Sequence, residues 1–391
     1  MQEVGGSNPL VPTRYKSKKI FGYLLNSLVV RGNYTMFPCI DKKFGVTCSE
    51  NNSSKHFLSI DILRFLAIFL ITGFHIGRYF SFDLHNILSI FSLAFRQGGQ
   101  VGVAVFFVIA SYCMQLSYNK EKNTCFSFWK KKAKKIILPY YTAILFWIIG
   151  VNSGVAVKNI EFWDIFTHCT FIHNLYSTTM YSVSGVFWFL GTLVDFYILF
   201  PFVSAIISKY SKISFILSFV VCFSSLYAVR LLDNSVVLSR SFFVYLPCFV
   251  VGILLYDKKL NLKYGNVFLL IISLIILFFV NPKYINKLFW NLPIYAILVS
   301  IFLSIGIINL EKFIKNIKVV KWITFISKRS FSIYLYNYIF YIARPINRSS
   351  FVFCILYIFT FCFGILMYEL VEKRSFISGR FKRYFFKYFW L

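Results

Sequence analysis

Three polar side chains interrupt an otherwise apolar run near residue 60: Asp61, Arg64 and His75 in Ser59-Ile-Asp-Ile-Leu-Arg-Phe-Leu-Ala-Ile-Phe-Leu-Ile-Thr-Gly-Phe-His75. A guanidinium is a planar cation suited to gripping anions with several donors, and an imidazole can move a proton or act as a nucleophile near neutral pH. Inside a bilayer an arginine costs at least ~2.5–3.5 kcal/mol, so its presence calls for a function. Eleven positions separate Arg64 from His75, which on an α-helix is three turns plus about 20°, with a rise of about 16 Å. Both therefore face the same way. Asp61 precedes Arg64 by three residues, on a neighbouring surface that permits an ion pair. One helix face is expected to carry a cation at one end and an imidazole at the other. The blander alternative is an Arg64 that snorkels to headgroups beside Asp61, with His75 capping the far end. It fits the pair less well, because two costly residues share one direction.

The elements that must position these groups are set by composition. The chain has 391 residues, 58% of them hydrophobic and 14% charged, where soluble chains run at about a quarter charged. That balance excludes a water-soluble enzyme and a disordered tail. It predicts an all-α polytopic membrane protein, a bundle of about ten transmembrane helices. The expected spans are 57–79, 98–118, 136–154, 187–207, 213–230, 241–256, 264–280, 291–310, 330–347 and 350–371, with an interfacial amphipathic piece near 87–96. Lys and Arg number 42 against 14 Asp and Glu, and they cluster between the apolar runs rather than in the stripe of a nucleic-acid-binding surface. With the N-terminus inside, 32 of the 42 fall in inner segments and nine in outer ones, while Arg64 lies within a span. Both termini are thus expected in the cytoplasm, the protein itself in a bacterial inner membrane.

Nine cysteines are scattered without a C-x-x-C pair, and no H-E-x-x-H, phosphate loop or G-x-S-x-G occurs, so no metal, no nucleotide-driven pump and no serine hydrolase is expected. Residues 1–55 read as a basic extension, 56–376 as the membrane domain and 377–391 as a basic cytoplasmic tail. The opening resembles the product of a misread RNA gene, which makes Met36 an alternative start. The stretch 20–30 is too short to span and lacks a following cleavage site.

The D-x-x-R…H pattern of the first span resembles that of the acyltransferase-3 family of integral membrane acyltransferases. Further segments agree in order: Gly102-Val-Ala-Val-Phe-Phe-Val-Ile-Ala-Ser-Tyr112, the basic Lys132-Ala-Lys-Lys-Ile-Ile-Leu-Pro139, Phe187-Trp-Phe-Leu-Gly-Thr-Leu-Val-Asp-Phe-Tyr197 with Pro201, Ser330-Phe-Ser-Ile-Tyr-Leu335, and Glu372-Lys373. The resemblance covers about residues 57–376. Departures are Ala104 for the usual acid, Ala110-Ser111 for Ser-Gly, Asn337 for a common histidine, and Asp195 as the single acid of its span.

The resemblance implies transfer of an acyl group, most often acetyl from acetyl-CoA, to a hydroxyl of an extracytoplasmic or lipid-linked glycan. Arg64, with Lys132, Lys134 and Lys135, would then meet the coenzyme A phosphates, helped by Lys130, Lys131, Lys328 and Arg329 through the long-range field. His75 would serve as general base or take the acyl group itself, with Arg64 and Asp61 beside it as the catalytic set. Trp188, Tyr197 and Glu372 are candidate substrate contacts, and His168 and His173 lie in the longest outer loop, a candidate for contact with a sugar. No bound cofactor is expected beyond the donor, and the partners are the bilayer, acyl-CoA and the glycan. The rival reading is a proton-coupled transporter or flippase, although residues 57–210 and 241–376 show no internal repeat.

Overall fold

In the computed structural model the described residues are 58–77, 89–120, 124–150, 160–232, 236–260, 265–280, 294–309, 317–339 and 349–373. They are helical, with short turns between. The N-terminal extension and the basic tail lie outside them. In chain order the helices are α1 (Leu58–Gly77), α2 (Ser89–Lys120), α3 (Cys125–Gly150), α4 (Phe162–Cys169), α5 (Trp188–Lys209), α6 (Ser211–Leu231), α7 (Val236–Ser239) and α8 (Phe242–Tyr256). There follow α9 (Gly265–Phe279), α10 (Ile294–Asn309), α11 (Ile317–Ser327), α12 (Ser330–Leu335) and α13 (Ser350–Met367). Among the described residues seven helical stretches are long and apolar enough to cross a bilayer, and α9 and α10 are shorter apolar helices. A row of outward Phe, Ile, Leu and Val side chains on α5, α6, α9 and α13 forms the lipid-facing surface.

Two expectations are corrected. The piece near 87–96 is no separate interfacial helix from Ser89 onward, because α2 runs unbroken from Ser89 to Lys120 over 32 residues. The ninth expected span is not one helix either. Described residues there form the six-residue α12, then a 3-10 turn at Asn337–Ile339, with α11 just before. Broken helix of this kind is tolerated in a membrane only where protein covers it, and Ser330, Ser332, Tyr334 and Asn337 are all buried.

Small residues set the closest approaches. Gly98 and Gly102 lie one turn apart on α2, where an added Cβ would stand 2.9 Å from the Leu70 carbonyl oxygen and 2.7 Å from that of Ala67. A side chain there would push α1 away, the same logic as small-xxx-small contacts between membrane helices. Gly252 of α8 lies as close to α2: its Cβ would fall 2.2 Å from the Val108 carbonyl oxygen. Prolines sit inside α3, α5 and α8. Pro201 has no N–H for the carbonyl four residues earlier, and the Trp129 indole of α3 supplies a donor instead, 2.9 Å from the Tyr197 oxygen. A missing backbone bond thereby becomes an interhelical one, joining α3 to α5 where the basic loop enters the bundle.

The broken segment runs alongside α1 and is tied to it at both ends. Ser327 Oγ donates to Asp61 Oδ1 at 2.7 Å, and Asn337 Nδ2 donates to Thr72 Oγ1 at 2.7 Å. On the other side Tyr357 of α13 donates to the Phe69 carbonyl at 2.8 Å. α1 is thus clamped by α2, by the α11–α12 segment and by α13, which fixes both its rotation and its depth.

Candidate functional site

Arg64 sits in a cluster of polar groups drawn from several helices. Its Nη1 lies 3.7 Å from Asp61 Oδ1, and its Nη2 donates to Cys113 Sγ of α2 at 3.2 Å. The Asp61 carboxylate is held between Arg64 and the Ser327 hydroxyl, as the expected ion pair requires. Lys132 of α3 places its ammonium over the rings of Phe128 and Tyr197, at 5.3 and 5.6 Å. Lys132 and Lys135 both fall within electrostatic range of Arg64 and of Cys113. Lys135 also feels Glu372, whose carboxylate accepts from the Ser332 hydroxyl of α12. Glu372 lies in a π-helical turn, Tyr368–Lys373, that continues α13. Such turns inside helices are frequent at functional sites. Lys134, about 160° around α3 from Lys132, is exposed. Arg329 is engaged elsewhere, bonded to Glu369 Oε1 at 2.5 Å and stacked 3.7 Å over the Phe325 ring.

His75 opens into a different space, a cavity of about 320 Å³ at the other end of α1. The lining comes from α1 (Phe74, His75), α2 (Gly99, Gln100, Val103), the segment before α5 (Tyr181, Gly185, Val186) and Trp188, with Arg240, Tyr334 and Tyr338 closing it. The Tyr338 ring centroid is 4.7 Å from that of His75. Asn337, one residue earlier, is the group bonded to Thr72, so the tie that anchors α1 also sets the ring beside the imidazole. The Tyr334 hydroxyl donates to the Val186 carbonyl, joining the broken segment to the loop that roofs the cavity. Arg240 stacks on the Trp188 indole with its guanidinium carbon 4.7 Å from the ring centre.

The outer loop is built on a buried imidazole pair. His168 and His173 stack with ring centroids 4.1 Å apart, and both are fully buried. His168 Nδ1 donates to the Asp164 carbonyl at 3.1 Å, and His173 Nε2 donates to the Phe187 carbonyl at 2.9 Å. Burial first, then the neighbouring His173, pushes His168 down to about 2; burial brings His173 down to about 4. Both rings are enclosed and bonded to backbone carbonyls, which gives them a structural place in this loop. Next to them Asn174 enters the bundle, filling the space that Gly191 leaves, and donates to Asp195 Oδ2 at 3.0 Å.

Of the residues expected from sequence, the structure brings Trp188 together with His75. Tyr197 and Glu372 belong with Arg64, Asp61, Lys132 and Lys135. Arg240, Gln100, Tyr181 and Tyr338 were missed. Arg240 is one of the nine cations that the sequence assigns to outer segments, and its place just before an apolar run is the one clue it offers. No group of three or more His, Cys, Asp or Glu among the described residues is arranged to hold a metal. Arginine and imidazole thus lie at opposite ends of one clamped helix, Arg64 among basic groups at one level and His75 in a cavity at the other.

Comparison with curated proteins finds no match, and neither does comparison with solved structures. A family model described as an acyltransferase domain matches residues 57–369, which is most of the chain and takes in both ends of α1. The chain therefore belongs to the acyltransferase-3 family of membrane acyltransferases.

Proposed function

We propose that this protein takes an acyl group from acyl-CoA on the cytoplasmic side, acetyl being the expected one, and passes it to a hydroxyl of a glycan at the outer face. The observation that carries this reading is the arrangement along α1, with Arg64 in a basic cluster and His75 in a cavity about 16 Å farther along the same face. Coenzyme A has the matching shape: a phosphorylated head, a long extended arm and a thioester at its tip. The head sits among Arg64, Lys132 and Lys135, and the arm runs along α1 towards His75.

At the cavity His75 takes the proton of the acceptor hydroxyl as its oxygen attacks the thioester carbon. The C–S bond breaks, and the coenzyme A sulfur leaves with the proton that His75 returns. In the covalent variant the acyl group passes first to the imidazole and then to the hydroxyl. Tyr338 and Phe74 hold the imidazole plane by ring contact in either case.

Purified protein in nanodiscs, given radiolabelled acetyl-CoA, tests the reading. Turnover is expected, and His75→Ala is expected to lower it by about 10²–10⁴-fold with its melting temperature retained. Label trapped on the protein without acceptor marks the covalent variant. A glycan moved across vesicles unchanged, with no acyl-CoA consumed, would overturn the proposal in favour of a carrier.

A further inference from the structure

Arg240 gives the outer cavity a character that the transfer reaction does not require. Apart from His75, it carries the only formal charge among the cavity's described lining residues, the rest being aromatic, small or neutral polar. Its electrostatic surroundings are two phenols: Nε donates to Tyr181 and Nη1 to Tyr245, each at a long 3.4 Å. It forms no ion pair with a described carboxylate. The guanidinium is nonetheless fixed in place. Its plane is stacked on Trp188, and its own backbone carbonyl accepts from Thr192 at 2.7 Å. A guanidinium has five N–H donors, and the two phenols take only two of them. An unpaired, half-desolvated cation is costly unless an anion completes it.

The rest of the lining fits a sugar ring. Phe74, Tyr181, Trp188, Tyr334 and Tyr338 present flat faces and hydroxyls. The Gln100 carbonyl oxygen is buried with no partner among the described residues, and a ring hydroxyl would supply its donor. The volume of about 320 Å³ is that of a small site, within the ~300–1,000 Å³ typical of ligand pockets. We infer that the acceptor is an acidic sugar, whose carboxylate or phosphate is held by Arg240 over Trp188 while a neighbouring hydroxyl meets His75. This deepens the proposed function and rests on it.

The test uses the full chain in nanodiscs. Methyl β-glucuronoside, glucose 6-phosphate and methyl β-glucoside are titrated by calorimetry, and transfer of labelled acetyl from acetyl-CoA is measured in parallel. At least one acidic probe is expected to bind about tenfold or more tightly than the neutral glucoside, the scale of one charge-assisted contact. Which of the two binds more tightly separates carboxylate from phosphate. Arg240→Gln is expected to erase the preference by weakening acidic probes alone, and Arg240→Lys to restore part of it. Equal binding of acidic and neutral probes, or a preference that survives Arg240→Gln, would overturn the inference. So would an Arg240→Gln protein that loses kcat for every acceptor with KM unchanged, since that marks oxyanion stabilisation rather than recognition. Acetyl-CoA turnover without acidic preference rejects this inference and leaves the proposed function standing. The acidic preference without acetyl-CoA turnover rejects the proposed function.

Discussion

Arg64 answers to two partners that differ in kind, the Asp61 carboxylate at 3.7 Å and the Cys113 sulfur at 3.2 Å. The carboxylate offsets part of the cost of holding the cation in the bilayer, and the sulfur leaves it free to exchange partners, because a thiol is a weak acceptor. An incoming phosphate can displace Cys113 without breaking the pair that anchors Arg64. Two outcomes follow if coenzyme A binds here. Arg64→Gln should raise KM for acyl-CoA at least about tenfold, the value of one charge-assisted contact, with a smaller effect on kcat. Alkylation of Cys113 by a small maleimide should be slowed by added coenzyme A, read by mass spectrometry of the peptide. Unprotected Cys113 would put the donor elsewhere.

At the scale of elements, the pieces that place the site are legible in sequence to different degrees. α1 and its two candidate residues stand out because charge in an apolar run is rare and a helix has a fixed period, so the common face of Arg64 and His75 follows from counting. The membrane part of α2 and the helices α3, α5 and α6 were likewise visible as long apolar runs. The break after Leu335 was not, because Ser330–Leu335 and the residues after it carry enough Phe, Ile, Leu and Tyr to read as a span, and the tie from Asn337 to Thr72 is a contact across 265 positions that leaves no local signal. Nor was the outer cavity. Its lining comes from residues 74 to 338, and adjacency across that distance leaves no local period to read.

The outer loop makes a prediction at the same scale. His168 and His173 are neutral in the fold because burial lowers both, to about 2 and about 4, from an ordinary value of 6.5. A lowered histidine stabilises the fold above its unfolded value, and that contribution is lost as pH falls. Unfolding should therefore take up protons from about pH 6.5 downward, up to two per molecule near pH 5. Replacing both histidines by Gln should flatten the decline of melting temperature between pH 7 and pH 5 even if stability at pH 7 drops. An unchanged slope would assign the acid sensitivity to other groups.

The whole molecule is polar in a sense that its parts are not. Lys132 and Lys135 stand within electrostatic range of Arg64, so among the described residues the basic start of α3 and the Arg64 cluster meet at one end of α1. If acyl-CoA is the donor, this cluster draws its phosphates to the Arg64 end of α1. At the other end the cavity holds a single fixed cation, Arg240, so the donor's several phosphates gain little there. Under the proposed function, donor and acceptor are kept apart by electrostatics as well as by the membrane, and the extended arm between them passes along α1. The consequence is vectorial. In proteoliposomes with a uniform orientation, acetyl-CoA should support transfer only from the side of the Lys130–Lys135 stretch of α3, and the product should collect only on the side of the Arg240 cavity. Raising salt should weaken donor use more than acceptor use, because the inner face relies on several clustered charges and the outer on one stacked guanidinium. Transfer that proceeds equally with donor on either side would mean that α1 does not carry the acyl group across, and Arg64 and His75 would then belong to two separate activities.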